Sequence, residues 1–391
     1  MNIPSSLQKR EIGALTSQQF KQAFRYLSLS QLANERFQKF NYRIGQIMEI
    51  VPTCSLVFLV SSRGKCIAVD KFTGRQVQEL TSPEGIAKTL FYNRSNDTVI
   101  LITVQSPGQL KTQFFYIKDL EQGIRRSVDL FSNENMRSPG FLEFDDVNEV
   151  ILTRSANNRI FKFWNLRDYT FRFALNDSQV EEIRLTTDLV LLVYPPESNI
   201  LTSKLLSISN GSVLNVFQFE LAPHKPIELL ELFNEYLLLK QTGEVLVIYN
   251  LLHSTQVKAP NFISPQAFIF LQMKMKFLAL RQGVMELWDF EGKCLKVYNA
   301  PLTNDNIGPY IPSRLFITRT QDILLLCMKD KPNSQNRETG CLKIIDLLKG
   351  SVVGEIKQQR VLTNVTTLAY DEYYGTIYTG HRNGNVLRWV N

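Results

Sequence analysis

The sequence lacks the features that define several large classes of protein. No run of eighteen apolar residues occurs among its 391 residues, which excludes a transmembrane helix. Glycine (19) and proline (15) are too scarce for a collagen-like or low-complexity chain. With 44% apolar and 21% charged residues, the chain has the composition of an ordinary globular protein.

Motifs for catalysis and metal binding are also missing. The five cysteines form no CxxC pair, and the three histidines show neither HxH nor HExxH spacing. The chain contains neither a GxSxG elbow nor a Walker loop. Ser203-Lys204 and Asp145-Asp146 are best explained as surface or turn residues. We therefore expect no enzymatic activity, no metal and no cofactor.

The cysteines and the N-terminal residues indicate the cellular compartment of the protein. An odd number of cysteines suits free thiols in a reducing environment. The N-terminal sequence MNIPSSLQKREIG has no apolar segment of the kind found in secretory signal peptides. We therefore expect a cytoplasmic or nuclear protein.

The net charge of +7 is unevenly distributed. Residues 1–45 contain seven basic and two acidic side chains, so they supply +5 of the total. This asymmetry indicates an acidic partner for one end of the chain. No run of Lys or Arg is longer than two residues, so nucleic acid is not expected as a partner.

From about residue 46 onward, one pattern recurs through the chain. Alternating apolar residues, often aromatic, are followed by a polar residue and a turn. The polar residues are Asp70, Asp119, Asn165, Asn210, Asn250, Asp289 and Asp346, and an eighth copy ends at Trp389-Val390. A strand-rich repeat of about 40–50 residues is typical of the four-stranded blades of a β-propeller.

Each copy fits the third strand of a blade, so eight copies predict an all-β propeller of eight blades. Seven blades is the alternative, if the copy around Ile208, which lacks an aromatic residue, is discounted. The last copy ends beside the C-terminus, so the outer strand of its blade must come from the N-terminal side. We expect that strand within residues 37–44, where it would join both ends of the chain in one sheet.

The repeat resembles the WD40 family of propellers. Trp288-Asp289, Trp164-Asn165 and the segment of residues 380–389 look like the strand endings of that family. The resemblance covers residues 46–391 and implies a platform that binds other proteins. Only three of the eight copies keep Trp, and His381 is predicted to lie in a turn. We therefore expect apolar packing in place of the buried Asp–His–Ser–Trp hydrogen bonds of the family.

In the WD40 arrangement, the turns between second and third strands share one face with the connections between blades. That face is predicted to carry a basic rim, formed by Arg63, Lys65, Lys111, Arg154, Arg159, Lys240, Arg281, Arg337 and Arg382. Only blade 4, with Pro195-Pro196-Glu197, contributes no cation. Such a rim would attract acidic or phosphorylated segments of partner proteins. The alternative is that these residues are the ordinary solvated charges of exposed turns.

Two long insertions fall on the same face. Residues 299–313 join blades 6 and 7, and residues 329–340 lie inside blade 7. Loops of this length are uncommon unless they are functional or disordered. The first insertion contains Ile307, Tyr310 and Ile311, which suit a contact with a protein partner.

The N-terminal segment is predicted to form two helices. Thr16 and Gln19 have the spacing of a capping box, and apolar residues then follow a helical period. A second helix is expected over residues 30–40. The candidate contact residues are Phe20, Phe24, Tyr26, Leu27 and Leu32.

Residues 15–40 also resemble an F-box, at Leu15, Phe24, Leu27 and Leu32. Proteins that combine an F-box with a propeller recruit substrates to a ubiquitin ligase, and the resemblance implies that role. The alternatives are helices that cap the propeller or that mediate another assembly.

The sequence thus predicts a basic helical extension over residues 1–45 and one WD40-like propeller over residues 46–391. The expected function is a non-enzymatic scaffold or adaptor that binds protein partners in a multi-subunit complex. A substrate receptor of a ubiquitin ligase is the second hypothesis. An enzyme that uses the central channel of the propeller is the third.

Overall fold

A computed structural model describes most of the chain from residue 37 onward. The described residues are 37–83, 85–105, 109–131, 141–154, 160–281, 284–298, 303–304, 308–309, 311–329, 340–347, 349–356 and 359–389. They form eight four-stranded antiparallel sheets, each with its strands in the order first to fourth. The prediction of an all-β propeller with eight blades is confirmed.

The first four blades take up the chain from Ile47 to Glu220. Their strands are Ile47–Pro52, Leu56–Ser61, Cys66–Asp70 and Gln76–Glu79 (blade 1); Ile86–Asn93, Thr98–Gln105, Gln109–Tyr116 and Ser127–Leu130 (blade 2); Phe141–Asp145, Val150–Arg154, Phe161–Asn165 and Phe171–Leu175 (blade 3); and Glu182–Thr186, Leu189–Val193, Ile200–Ser207 and Val213–Glu220 (blade 4).

The remaining four blades take up the rest of the chain, and the last one also uses the described N-terminal strand. Their strands are Ile227–Phe233, Tyr236–Gln241, Leu246–Asn250 and Thr255–Ala259 (blade 5); Ala267–Leu271, Lys276–Arg281, Val284–Trp288 and Cys294–Tyr298 (blade 6); Ile311–Ile317, Ile323–Lys329, Gly340–Asp346 and Val352–Ile356 (blade 7); and Val365–Asp371, Thr376–His381, Asn385–Trp389 and Phe37–Asn41 (blade 8).

The second strands are apolar on both faces because each blade packs between two neighbours. In blade 7, Leu324 and Leu326 contact blade 6, whereas Leu325 and Cys327 contact blade 8. Successive side chains of a strand point to opposite faces, so a run of buried residues serves two interfaces at once. Eight apolar clusters of this kind, one at each interface between neighbouring blades, form the core.

The ring closes where the two ends of the described chain meet. Phe37–Asn41 pairs with Asn385–Trp389 as the outer strand of blade 8, in the register Phe37 to Trp389. This confirms the outer strand expected within residues 37–44. The helix expected over residues 30–40 is wrong for residues 37–40, because their side chains are used in a sheet.

Two local predictions need correction. The third strand of blade 2 ends at Tyr116, and a short helix, Ile117–Glu121, follows it where the repeat predicts strand. The insertion expected to extend to residue 313 gives way to the first strand of blade 7 at Ile311. Its described part includes a small hairpin that pairs Thr303–Asn304 with Gly308–Pro309.

The expectation that buried hydrogen bonds are absent is wrong for blade 8. The indole Nε1 of Trp389 donates to Oγ1 of Thr379 (3.1 Å), and this oxygen also lies 3.0 Å from Nε2 of His381. All three side chains are buried, and His381 ends the second strand instead of standing in the turn. Trp164 donates to Thr153 in the same way in blade 3 (3.0 Å).

Two α-helices occur in the described ranges, Ile117–Glu121 and Gln359–Leu362, together with a 3₁₀ turn, Gln272–Lys274. A membrane-spanning helix needs about 20 apolar residues. Within the part of the chain that the structure describes, none of the helices has the length or apolar character to span a membrane.

Candidate functional site

A cavity opens between blades 3 and 4, on the face that carries the turns between second and third strands. Its volume is about 710 Å³, within the range of protein ligand sites. The residues around it are Arg154, Ser178, Gln179, Val180, Glu181, Tyr194, Pro195, Glu197, Thr202 and Lys204. The cavity is therefore lined by the end of the second strand of blade 3, by the connection between the two blades, and by the turn and third strand of blade 4.

Strand alternation places the polar residues of blade 4 on the cavity side. Thr202 and Lys204 lie two residues apart in the third strand, so they share one face of the sheet. Leu201 and Leu205 point to the other face, where they pack against blade 5. Tyr194 follows the second strand directly, and its backbone N–H donates to the carbonyl of Thr202 (3.1 Å).

Tyr194 and Lys204 of the cavity wall form a linked group with the neighbouring Asp177. The hydroxyl of Tyr194 donates to Oδ2 of Asp177 (2.7 Å), and Nζ of Lys204 lies 3.5 Å from the same oxygen. The ammonium of Lys204 also stands 4.7 Å from the centre of the Tyr194 ring. The phenol thus holds both charges in place, which fixes the position of the lysine.

The pKa values in this group favour the charged forms of Lys204 and Asp177. The hydrogen bond to Tyr194 raises the pKa of Lys204, burial opposes this effect, and the charge of Asp177 adds to the rise. Burial alone would raise the pKa of Asp177, but the hydrogen bonds from Tyr194 and the backbone of Gln179 and the charge of Lys204 lower it. Burial raises the pKa of Tyr194, which therefore stays a neutral donor at physiological pH.

Arg154 supplies a second cation on the blade 3 side. It ends the second strand, and its guanidinium lies 5.1 Å from the centre of the Phe161 ring. Its Nε is buried and has no hydrogen-bond partner among the described residues.

The turn after the second strand of blade 4 has a constrained backbone. Glu197 and Ile200 exchange backbone hydrogen bonds of 3.0 and 2.8 Å. Ser198 and Asn199 between them have φ values of 50° and 65°, a left-handed conformation that is uncommon for residues with a side chain. This tight turn leaves Glu197 exposed, and Glu181 is exposed on the connection between the blades.

The cavity is therefore a site with charges of both signs. Its lysine contacts Tyr194 and Asp177, and the hydroxyl side chains of Ser178 and Thr202 line the same cavity. No group of three His, Cys, Asp or Glu side chains in the described ranges could hold a metal ion. Such an arrangement can bind and orient a polar ligand through fixed charges and hydrogen-bond donors.

Several cations of the predicted basic rim are already paired with carboxylates of the same chain. Three of its lysines are ion-paired in the structure: Lys65 with Glu79 (3.4 Å), Lys111 with Asp129 (3.2 Å) and Lys240 with Glu228 (2.9 Å). Lys240 is also buried, so its prediction as an exposed rim cation is wrong. Carboxylates beside these lysines offset the positive potential that the sequence alone would indicate.

The arginines of the rim have different environments. Arg63 and Arg382 are exposed in turns, Arg281 is half-buried at the end of its strand, and Arg154 lines the cavity. Arg159 and Arg337 lie outside the described residues. So do Ile307 and Tyr310 of the first insertion, and Ile311 begins a strand whose first side chains are not described.

The predicted N-terminal contact residues also lie outside the described residues. These are Phe20, Phe24, Tyr26, Leu27 and Leu32. The helical extension and the resemblance to an F-box therefore stay predictions.

Reasoning from the sequence missed Asp177 and Tyr194, and it interpreted Lys204 as a surface or turn residue. The turn of blade 4 carries no cation, and the cation of this blade comes from its third strand. The spacing of Thr202 and Lys204 shows that they share a face, but not that this face borders blade 3. Only the packing of the blades brings Asp177 to the lysine.

A family model described as "Domain of unknown function (DUF7899)" matches residues 16–389. No curated protein matches the chain. The computationally designed Ika8 protein is similar in fold, with a TM-score of 0.55 and 14% identity over 90% of this chain and 98% of that one. BamB from Moraxella catarrhalis gives a TM-score of 0.46 and 11% identity over 90% and 96%.

Proposed function

The chain belongs to this DUF7899 family, and we propose that it is a non-enzymatic protein-interaction platform. A propeller of this kind offers a rigid frame whose turns and connections form the binding face. The observation that carries the proposal is the cavity between blades 3 and 4, where Tyr194 and Asp177 hold Lys204 in a fixed position. A cavity lined by charges of both signs and by hydrogen-bond donors is suited to the recognition of a polar segment.

The partner that fits this cavity is a polypeptide segment of mixed charge. Arg154 and Lys204 can bind a carboxylate or a carbonyl group, whereas the exposed carboxylates of Glu181 and Glu197 favour a basic or donor group. The three ion-paired lysines of the rim reduce the case for a uniformly acidic or phosphorylated partner. A segment that carries both signs would satisfy the cavity without leaving a charge unpaired.

A double substitution in the cavity tests the proposal. Arg154→Gln with Lys204→Met should remove both cations with little change in side-chain volume. The partners recovered by affinity purification of the full chain from cells, followed by mass spectrometry, should fall by about tenfold or more, as expected when about 1.4 kcal/mol of binding energy is lost.

The matched control uses the same residue types on exposed positions of blade 2. Lys118→Met with Arg126→Gln changes the net charge by the same amount, and both side chains are exposed. This variant should keep its partners. Unchanged recovery with the cavity variant, or equal losses with both variants, would overturn the proposal.

A further inference from the structure

The outer strand of blade 4 differs from the other seven outer strands of the ring. It runs from Val213 to Glu220, and its first seven residues are uncharged. The other outer strands have four or five residues, and each contains a charged side chain: Lys39, Glu79, Asp129, Arg172, Lys258, Lys296 and Glu355. Short length and charge are the usual means by which a sheet edge is protected from pairing with another chain.

The blade 4 edge is also apolar on its exposed surface. Val213, Leu214 and Val216 are 56%, 55% and 51% exposed, and Ile200 beside the far end of the strand is 36% exposed. Phe217 and Phe219, in contrast, turn inward toward the interface with blade 5. A strand that buries its aromatic residues and leaves its aliphatic residues in solvent presents a surface suited to cross-strand contacts.

Backbone groups of this edge are available for pairing. The N–H of Val216 donates to Oδ1 of Asn215 (2.8 Å), which is a neighbour in the same strand. A carbonyl of an incoming strand could replace this local acceptor. Strands rise about 3.3 Å per residue, so eight residues offer an edge of roughly 26 Å.

We propose that this edge binds an extended, uncharged segment of a partner protein, with alternating β-branched residues, as a fifth strand of blade 4. Backbone hydrogen bonds would supply affinity, and the aliphatic side chains of the edge would select the apolar face of the segment. This proposal goes beyond the proposed function, because it concerns the outer rim of the ring and not the cavity on its face.

An extended segment suits the edge better than a second copy of the chain. A stable interface needs about 800 Å² from each partner, and three half-exposed aliphatic side chains with one strand edge supply much less. A second copy would meet this edge as a rigid propeller, so it would add little further buried area to the interface. A flexible segment can continue past the edge to the cavity, since Val216 and Gln218 pair with Lys204 and Thr202 of the cavity wall.

Synthetic peptides with defined backbone chemistry test the proposal. The probe is a ten-residue peptide of alternating Thr and Val, in two forms, one N-methylated on alternate residues and the other N-methylated on every residue. Strand pairing uses the N–H groups along one edge of the added strand, so the first form, which keeps one free edge, should bind and the second, which keeps none, should not. Binding is measured by fluorescence anisotropy, and hydrogen exchange should slow in residues 213–220.

Two variants of the full chain complete the experiment. Val216→Lys places a charge in the edge and should weaken binding by about tenfold or more. Val297→Lys places the same charge in the outer strand of blade 6, where Val297 is 44% exposed, and should leave binding unchanged. Both variants should unfold at the wild-type urea concentration, since the substituted side chains are exposed.

The outcomes are distinct. The proposal is overturned if neither peptide binds below about 1 mM, a level at which weak association is still measurable, or if both N-methylated forms bind equally. It is also overturned if light scattering shows a dimer that Val216→Lys dissociates, because a second copy would then occupy the edge. The cavity variants test the proposed function separately, so either idea can fail alone.

Discussion

Burial in blade 8 determines the protonation state of His381. It is 4% exposed, and its Nε2 can accept the hydroxyl hydrogen of Thr379 only while the ring is neutral. Burial, helped by the charge of Lys39, lowers the pKa of His381 to about 4. The neutral ring therefore belongs to the hydrogen-bonded group that fixes Trp389 beneath the closing strand.

We expect His381 to make stability depend on pH. The unfolded chain takes up the proton near the ordinary pKa of about 6.5, whereas the folded chain does so only near pH 4. The stabilisation is complete above this window and is lost as pH falls through it, by up to about 1.4 kcal/mol per pH unit.

Urea unfolding at several pH values measures this contribution. The free energy of unfolding of His381→Gln should fall less steeply with decreasing pH than that of the wild type. Subtracting the two profiles removes the contribution of the carboxyl groups that both proteins share. Parallel profiles would show that His381 does not titrate within the window.

At the scale of elements, the closing strand Phe37–Asn41 joins two distant parts of the chain. The ring of Phe37 lies 5.0 Å from that of Trp389, and Nδ2 of Asn41 donates to Oδ1 of Asn385 (2.9 Å). The hydroxyl of the following Tyr42 donates to the carbonyl of Gly74 in blade 1 (2.9 Å). The strand is thus held by both the last blade and the first.

Phe37→Ala should loosen this closure. The loss of a half-buried aromatic side chain is expected to cost about 1–3 kcal/mol, below the 3–5 kcal/mol of a fully buried one. Hydrogen exchange should accelerate in Phe37–Asn41 and Asn385–Trp389 and stay unchanged in blade 4. Gln38→Ala, at an exposed position of the same strand, is the control, and equal acceleration by both variants would contradict the role of Phe37.

At the scale of the whole molecule, a buried ion pair links the first blade to the last. Nζ of Lys71 lies 2.6 Å from Oδ2 of Asp371, and the two side chains are 1% and 6% exposed. Lys71 also donates to the carbonyl of Thr53 and lies 4.6 Å from the Tyr374 ring. Burial lowers the pKa of Lys71, and Asp371 opposes this effect.

Removing one partner of this ion pair should destabilise the protein more than replacing both partners with apolar residues. Asp371→Asn leaves a buried ammonium without its counter-charge and should cost about 3–5 kcal/mol of unfolding free energy. The double variant Lys71→Met with Asp371→Leu should recover most of that loss, because neither charge remains buried. Urea unfolding measures both, and a double variant as unstable as Asp371→Asn would refute the expectation.

The repeat made the architecture predictable to a large extent. Each blade uses the same local rule, alternation of apolar and polar residues followed by a turn, and the end of the last copy implied a strand from the N-terminal side. Residues 37–40 were also assigned to a helix, since Phe37 and Phe40 fit both a helical face and a strand. The pairing with Asn385–Trp389, some 350 residues away, decides between the two.

The sequence by itself determined the propeller architecture and the closure of the ring, because strand alternation and repeat length are local properties, and it favoured eight blades over seven. Only the tertiary structure decided which charges meet. Lys240 is paired with Glu228, and Lys204 is held by Asp177 from the connection before blade 4. Those contacts depend on which face each strand turns toward its neighbour and on how closely the blades pack, and neither is encoded in the spacing of residues along the chain.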